Sequence, residues 1–326
     1  MSFTMVPMSH EYLVIDAFTA QPYSGNPAAV VFDADTLDDP TMQRIAAEFN
    51  LSETAFILTP TEPAVDVRFR WFTPACEVDL CGHATIAGVH AMIETGLYAQ
   101  FKPQALACAD APRGLKSRGS DAIISIQTRS GILEAKPERI TSGADAFVVW
   151  LELPRPTLTD FTLKPSIISE GLRVPHGGVV ESLPAMLTRD RDVIVFAADL
   201  KTLNDLQPDF TRLARQSMPD RIRGFAVATT ETLAESIRVQ SRFFAPACGV
   251  NEDPVTGSAH GPLLAYLVLH GLVEPREGVA GADCVQSKPG DRSGLVRTLG
   301  RVEGRTLTEV QIGGRCVTTM RGTLMA

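Results

Sequence analysis

Residues 65–84 read VDVRFRWFTPACEVDLCGHA. From Val65 to Trp71 apolar and polar side chains alternate, and this period of two predicts a strand with one buried face. The strand ends at Pro74, and a loop containing Gly82 then leads into an apolar segment of helical length. The stretch therefore predicts a strand, a turn and a buried helix in immediate succession.

The same unit recurs near the C-terminus. Residues 237–248 read IRVQSRFFAPAC, and their proline is displaced from the first copy by 246 − 74 = 172 positions. Gly257 follows as Gly82 does, displaced by 257 − 82 = 175 positions, and the apolar runs close at Gly96 and Gly271, also 175 positions apart. The second copy thus has three extra residues in the loop before its helix. The repeat predicts two related halves, each with a core helix that ends in a glycine C-cap.

Elements upstream of each copy also follow one order. In the first half we expect strands at Tyr12–Phe18, Ala28–Phe32 and Ala55–Leu58, and a helix with Asp39 as N-cap. In the second half we expect strands at Val193–Phe196 and Phe225–Ala228, around a helix that ends near Leu213. Periodicity is poor between residues 136 and 192, apart from a strand-like segment at 147–153. The predicted domains are therefore residues 1–135 and 136–326.

Bulk composition limits the possible functions. The 326 residues suffice for two domains, and 30 basic against 38 acidic residues leave a net charge of −8. This charge argues against nucleic acid or anionic lipid as partner and favours a small molecule. The six cysteines form no CxxC pair, so neither disulfides nor a structural metal is predicted. Without a targeting or membrane-spanning segment in the sequence, we expect a cytoplasmic protein.

The two helix starts predict an anion site. Free backbone N–H groups and the positive end of the helix dipole collect where each glycine loop meets its helix. If the halves pack about a pseudo-twofold axis, Gly82-His83 and Gly257-Ser258 would face one cleft and hold a substrate carboxylate. In the alternative interpretation, Gly82 and Gly257 only permit tight loops.

Glu53, in Leu51-Ser52-Glu53-Thr54, is the candidate general base, because a cleft that desolvates its carboxylate would raise its pKa towards neutrality. The alternative is a solvated charge on an exposed loop. The equivalent loop of the second half offers Arg221 and Arg223 instead.

Three further residues have competing interpretations. His83 and Asp253 could serve the anion site, or His83 could simply pack and Asp253 could be a helix N-cap. Cys81 could be a thiol acid/base, but its counterpart at the offset of 175 is Thr256, whereas a two-thiol racemase needs a second cysteine there. No GxGxxG, Walker, HExxH or GxSxG motif supports redox, nucleotide, zinc-protease or serine-hydrolase chemistry.

Taken together, four groups of motifs resemble the phenazine-biosynthesis PhzF-like family of the diaminopimelate-epimerase-like superfamily. They are Asp16-Ala17-Phe18 with Gly25-Asn26-Pro27, Leu51-Ser52-Glu53-Thr54, Phe72-Thr73-Pro74 with Cys81-Gly82-His83-Ala84, and Glu252-Asp253-Pro254-Val255-Thr256-Gly257-Ser258-Ala259. The resemblance implies an α+β fold of two pseudo-symmetric domains, each a curved, mostly antiparallel sheet wrapped around a central helix. It also implies exchange of a terminal strand into the first half, and a homodimer.

The resemblance further implies a cofactor-independent, metal-free isomerase that moves a proton on a small carboxylate. Glu53 matches the family's acid/base, and His83, Asp253 and Ser258 match its supporting residues. The expected substrate-binding residues are Gly82, Gly257, Thr256, Cys81 and Asn26. Two alternatives stay open: an epimerase or racemase that uses Cys81, and a non-catalytic anion-binding protein on the same scaffold.

Overall fold

The computed structural model describes residues 9–96, 123–140, 147–287 and 290–325. The strands are, in chain order, β1 (Ser9–Ala17), β2 (Asn26–Val31), β3 (Glu53–Leu58), β4 (Val67–Phe72), β5 (Glu77–Val78), β6 (Ile124–Thr128), β7 (Gly131–Arg139), β8 (Phe147–Leu153), β9 (Leu158–Asp160), β10 (Met186–Thr188), β11 (Asp192–Phe196), β12 (Gly224–Thr229), β13 (Val239–Ala245), β14 (Val250–Asp253), β15 (Val279–Ser287), β16 (Ser293–Glu303), β17 (Thr306–Gly314) and β18 (Cys316–Met325). The α-helices are α1 (Asp39–Phe49), α2 (Gly82–Glu94), α3 (Leu200–Asp205), α4 (Phe210–Ser217) and α5 (Gly257–Leu269).

The chain divides into two compact units. Of the described residues, unit 1 comprises 9–96, 123–140, 147–151 and 314–325, and unit 2 comprises 152–287 and 290–313. Unit 1 therefore extends past the predicted boundary at residue 135, because β7 continues to Arg139 and pairs with β8. The last strand, β18, lies in unit 1 and pairs with β1. Residues 141–146, within the predicted crossing, lie outside the described residues.

Both units repeat one order of strand pairing. In unit 1 neighbouring strands run β18, β1, β2, β3, β4, β6, β7, β8. In unit 2 they run β9, β10, β11, β12, β13, β15, β16, β17. The third and fifth pairings of each series are parallel and the others are antiparallel, while β5 and β14 add short antiparallel pairings to β4 and β13. The predicted α+β duplication is confirmed strand by strand.

A central helix packs on the strands of each unit. In unit 1, α2 contacts β1, β2, β3, β7 and β18, and in unit 2, α5 contacts β9, β15 and β16. Both helices are buried along almost their whole length, which explains their apolar sequences. Gly96 and Gly271 follow them with φ of 65° and 68°, so the predicted glycine C-caps are confirmed. None of the described helices is long and apolar enough to cross a bilayer.

Several local predictions need correction. The N-cap of α1 is Asp38 rather than Asp39, since the Asp38 carboxylate accepts the Thr41 N–H at 2.9 Å. The single helix expected near Leu213 is two helices, α3 and α4. The poorly periodic segment contains β9, a π-helical turn at Ile167–Gly171 and β10, elements too short for a periodic pattern.

An arginine–glutamate pair braces the loop before each central helix. Arg70 on β4 donates through Nε and Nη2 to Glu77 at 2.7 and 2.9 Å, and Arg242 on β13 donates likewise to Glu252 at 2.8 and 3.0 Å. The arginines are 242 − 70 = 172 positions apart and the glutamates 252 − 77 = 175, so the pair spans the three-residue insertion. The hydrogen bond from Arg70 holds the pKa of Glu77 below its ordinary value. A forked, charge-assisted pair thus ties each loop to its strand.

In unit 2 the arginine fork is the more buried of the two. The side chains of Arg242 and Glu252 are 6% and 7% exposed. Arg242 Nη1 also donates to the carbonyl groups of Leu203, Asn204 and Leu206, which end α3. One guanidinium therefore joins β13, the loop before α5 and the end of α3.

Replacing Arg242 by methionine should lower the free energy of unfolding by about 3–5 kcal/mol, because it leaves Glu252 buried without its partner. The control is Arg301→Met, which breaks the pair with Glu309 whose side chains are 46% and 52% exposed. That change should lower stability by no more than about 1 kcal/mol. Urea unfolding of both variants measures the difference, and equal losses would contradict the bracing role of Arg242.

Candidate active site

Two predicted site residues of unit 1 lie where parallel strands begin. Glu53 is the first residue of β3 and pairs with Ala28 of β2. Asn26 is the first residue of β2 and is fully buried. Glu53 is thus at a strand end rather than in a loop. Because parallel strands begin at the same edge of a sheet, Asn26 and Glu53 share that edge.

The Glu53 carboxylate meets the start of α2. His83 Nε2 lies 3.3 Å from Glu53 Oε2, an ion-pair distance without hydrogen-bond geometry. The side chains of Glu53 and His83 are 21% and 6% exposed. The other ring nitrogen of His83, Nδ1, lies 3.4 Å from Cys81 Sγ. These contacts contradict the alternative in which Glu53 is a solvated loop charge.

The imidazole of His83 therefore stands between a carboxylate and a thiol. A neutral imidazole carries its proton on one ring nitrogen and accepts on the other, so it can relay or hold a proton between these two groups. Such an arrangement suits proton transfer to and from a substrate carbon. It equally gives the Cys81 thiol a base beside it.

Glu53, Cys81 and His83 also form a group that could hold a metal ion. One ligand atom from each lies within 4.8 Å of the others. Sulfur, imidazole nitrogen and carboxylate oxygen are ligands that zinc accepts. The absence of a metal from the reaction stays a prediction.

Both helix starts have a small residue at the first helical position. Cys81 is the N-cap of α2 and Thr256 the N-cap of α5, so Gly82 and Gly257 begin the helices. Neither glycine has a positive φ, so neither is required by a left-handed backbone conformation. Without a side chain, each leaves room beside the free N–H groups of the first turn.

Asp253 of unit 2 ends β14, three residues before the N-cap of α5. The alternative in which it caps the helix is therefore wrong. Thr256 Oγ1 donates to Asp253 Oδ2 at 2.5 Å. Gln286 on β15 accepts the Thr256 N–H at 3.0 Å and donates to the Asp253 carbonyl at 2.7 Å. Asp253 and Thr256 are thus held by one glutamine from a neighbouring strand.

Sequence reasoning missed Gln286, although its strand carries a signal. The buried positions of β15 alternate, and they are Ala280, Ala282, Cys284 and Gln286. A glutamine in the inward-facing series of a strand needs buried hydrogen-bond partners. Its partners, 30 and 33 positions away, could not be read from the pattern.

Arg223 belongs to the loop of the second half that is equivalent to the Glu53 loop, and it lies beside another predicted site residue. Its Nη2 donates to Ser258 Oγ at 3.4 Å, in the first turn of α5. Each helix start is therefore met by a charged side chain from the beginning of a neighbouring strand, an acid in unit 1 and a guanidinium in unit 2.

A family model described as phenazine biosynthesis-like protein matches residues 15–322. The chain belongs to the phenazine biosynthesis-like protein family. The matched range contains every candidate site residue, from Asn26 to Ser258, so the resemblance inferred from the motifs is confirmed.

Members of this family and proteins of related fold are similar along the whole chain. The trans-2,3-dihydro-3-hydroxyanthranilate isomerase of Pseudomonas chlororaphis is 32% identical, over 97% of this chain and 99% of its own. An uncharacterized isomerase of Clostridium acetobutylicum is 31% identical, over 95% and 96%. The PhzF-family protein of Bacillus anthracis aligns with a TM-score of 0.81 at 26% identity, over 98% and 100%. A hydroxyproline epimerase from Agrobacterium vitis, at 12% identity and a TM-score of 0.57 over 97% and 91%, shares the fold.

In this phenazine biosynthesis-like protein, Gln286→Leu should loosen the start of α5. The change leaves the Thr256 N–H and the Asp253 carbonyl without their partner, and each such buried group costs about 1–3 kcal/mol. Hydrogen exchange followed by mass spectrometry should show the amide of Thr256, which donates to Gln286, exchanging at least about tenfold faster.

The matched control is Gln240→Leu, which removes a buried glutamine that donates to Ser287 at 2.7 Å. Exchange at the amide of Thr256 should stay at the wild-type rate in this variant. Unchanged exchange in Gln286→Leu would show that the glutamine does not hold the helix start.

Proposed function

We propose that this isomerase moves a proton between two carbon atoms of a small carboxylate substrate, with Glu53 first as base and then as acid. The observation that carries the proposal is the 3.3 Å contact between the largely buried Glu53 carboxylate and the buried His83 imidazole. A carboxylate withdrawn from water beside a group able to hold a proton meets the needs of general acid/base catalysis. Membership in a family whose relatives are named isomerases supports an enzyme over the non-catalytic alternative.

In the proposed reaction, Glu53 removes a proton from a substrate carbon, and the electron pair of that C–H bond moves into a new double bond. The protonated carboxyl group then returns the proton to a second carbon as an existing double bond shifts. Atoms and electrons balance without oxidant or reductant. His83 holds the Glu53 carboxyl in place during both transfers, and its proximity to Cys81 fixes the orientation of the ring.

Negative charge develops on the substrate as the proton leaves, and preorganised donors must stabilise it. We assign this role to the N–H groups of the helix starts at Gly82 and Gly257, together with the hydroxyl of Ser258. Thr256 would border the substrate and orient Asp253, because its hydroxyl and its N–H already donate to Asp253 and Gln286. Asp253 would accept a hydrogen bond from a substrate donor, and Asn26 would border the Glu53 side. Assigning both helix starts to one substrate rests on the internal repeat and on the family resemblance.

The first substrate to test is trans-2,3-dihydro-3-hydroxyanthranilate, for which the Pseudomonas chlororaphis relative is named. It is a small carboxylate with the ring unsaturation that a proton shift requires. We propose small carboxylates as the substrate class of this chain, and this compound is the first member of the class to test.

Incubation with this compound in heavy water tests the role of Glu53. The wild-type chain should incorporate deuterium at a ring carbon, and Glu53→Gln should lower that rate at least about a thousandfold, because the amide cannot accept the proton. NMR of the recovered product measures the incorporation. Thermal unfolding of the variant near the wild-type temperature would exclude loss of the fold. Wild-type exchange in Glu53→Gln would contradict the proposal.

A second candidate mechanism is favoured by the 3.4 Å contact between Cys81 Sγ and His83 Nδ1. Here Cys81 would be the acid/base, and a non-thiol group would replace the second cysteine of a racemase. Cys81→Ser, included in the same experiment, separates the two mechanisms. Our account expects it to keep exchange within about tenfold of wild type. Loss of exchange in Cys81→Ser, with retention in Glu53→Gln, would establish the cysteine mechanism instead.

We retain a homodimer and a cytoplasmic location as further parts of the proposal. The first comes from the family resemblance and the second from the thinly spread cysteines of the sequence, which suggest no disulfide framework. Light scattering of the purified chain tests the dimer, and cell fractionation tests the location.

A further inference from the structure

Arg223 in unit 2 lies one residue before the position equivalent to Glu53 in unit 1, because Thr54 pairs with Phe72 as Phe225 pairs with Phe244. Glu53 begins β3, which pairs in parallel with β2, and Arg223 directly precedes β12, which pairs in parallel with β11. Their contacts, His83 and Ser258, are 258 − 83 = 175 positions apart, the offset of the repeat. The start of equivalent strands thus carries an acid in one unit and a permanent cation in the other, and each side chain meets the first turn of its central helix.

A buried carboxylate fixes the guanidinium of Arg223. Arg223 donates through Nε to Asp192 Oδ1 at 2.8 Å and through Nη2 to Asp192 Oδ2, and the Asp192 side chain is only 2% exposed. The guanidinium also lies 5.6 Å from the centre of the Phe243 ring. Burial alone lowers the pKa of Arg223, but the contacts with Asp192 outweigh burial and raise it above its ordinary value. The positive charge therefore stays in one place at every working pH.

The contact with Ser258 has a directional consequence. A guanidinium can only donate, so Ser258 Oγ accepts from Arg223 Nη2 at 3.4 Å. The hydroxyl proton of Ser258 is then directed away from Arg223, and the serine acts as a donor towards whatever faces the first turn of α5. A donor next to a fixed positive charge favours a negatively charged oxygen over a neutral one.

We propose that Arg223 is a positioning residue that makes Ser258 a hydrogen-bond donor and gives the site its selectivity for an ionised substrate carboxylate. This inference rests on the proposed function and extends it by naming a group that selects the substrate. The chain of contacts runs from Asp192 through Arg223 to Ser258, all within unit 2. A purely structural ion pair would need only the contact between Asp192 and Arg223, whereas Arg223 also contacts Ser258 and its side chain is still 36% exposed.

The test uses Glu53→Gln as the host protein, so that trans-2,3-dihydro-3-hydroxyanthranilate binds without turnover. Isothermal titration calorimetry measures the Kd of this compound, of 3-hydroxyanthranilate and of 3-hydroxyanthranilamide, in which a neutral amide replaces the carboxylate. Adding Arg223→Gln should weaken binding of both carboxylates about ten- to a hundredfold. Binding of the amide should change by less than about threefold, because its recognition does not depend on the charge.

Arg221→Gln is the matched control, since it removes an exposed arginine from the same turn. It should leave all three Kd values within about twofold. Arg223→Lys keeps the charge but cannot make the fork to Asp192. Its Kd values for the carboxylates should lie between those of the host protein and those of Arg223→Gln. This variant also keeps the test decisive if Arg223→Gln does not fold.

A double-mutant cycle with Ser258→Ala shows whether Arg223 acts through the serine. If it does, Arg223→Gln has little further effect once Ser258 is replaced. Additive effects, equal weakening of carboxylate and amide, equal effects of Arg221→Gln and Arg223→Gln, or no carboxylate binding at millimolar concentration would each overturn the inference. A different result would contradict the proposed function, namely proton exchange at the wild-type rate in Glu53→Gln.

Discussion

The arginine–glutamate fork in each unit is the interaction on which the position of that unit's central helix start depends. It ties the loop that precedes a central helix to the strand before that loop, in unit 1 through Arg70 and Glu77 and in unit 2 through Arg242 and Glu252. In unit 2, separating the buried partners would leave Arg242 and Glu252 charged without water or counter-ion, so the loop has one stable position. In unit 1 the fork is part of a wider set of ion pairs, because Arg70 also contacts Asp39 and Glu77 also contacts Arg129. The helix start follows that position, and with it the free N–H groups and the side chains of the first turn.

On this repeated frame the two units carry different chemistry. Unit 1 brings a carboxylate, an imidazole and a thiol together at the start of α2. Unit 2 brings a hydroxyl, a guanidinium and a glutamine-held loop to the start of α5. In this account one unit moves the proton and the other recognises the charge of the substrate. Such a division is consistent with a single acid/base, because a symmetric two-thiol mechanism would need a thiol acid/base in both units.

Much of the fold could be predicted from the sequence because duplication repeats patterns as well as structure. The offsets of 172 and 175 located both central helices, and Gly96 and Gly271 end them as expected. The candidate residues Glu53 and His83 were recognisable from the family motifs, and the structure places them in contact. These elements could be predicted because each motif consists of residues that are close together in the chain.

Other features depend on distant residues or on exact register. Gln286 reaches its partners at Thr256 and Asp253 only because β13, β14 and β15 align as they do. The N-cap of α1 was misplaced by one residue because two aspartates precede Pro40, and only the hydrogen bond to Thr41 distinguishes them. The end of unit 1 was placed too early because the pairing of β7 with β8 leaves no local signal at residue 135.

The most direct measurement is a crystal structure of Glu53→Gln bound to trans-2,3-dihydro-3-hydroxyanthranilate. The account predicts that the side chain of residue 53 lies about 3–3.5 Å from the carbon that loses the proton, the distance of a reactive geometry. It also predicts the substrate carboxylate at a helix start, accepting hydrogen bonds from backbone N–H groups. A substrate bound with residue 53 turned away from every carbon, or with Cys81 at the reacting carbon instead, would contradict the account.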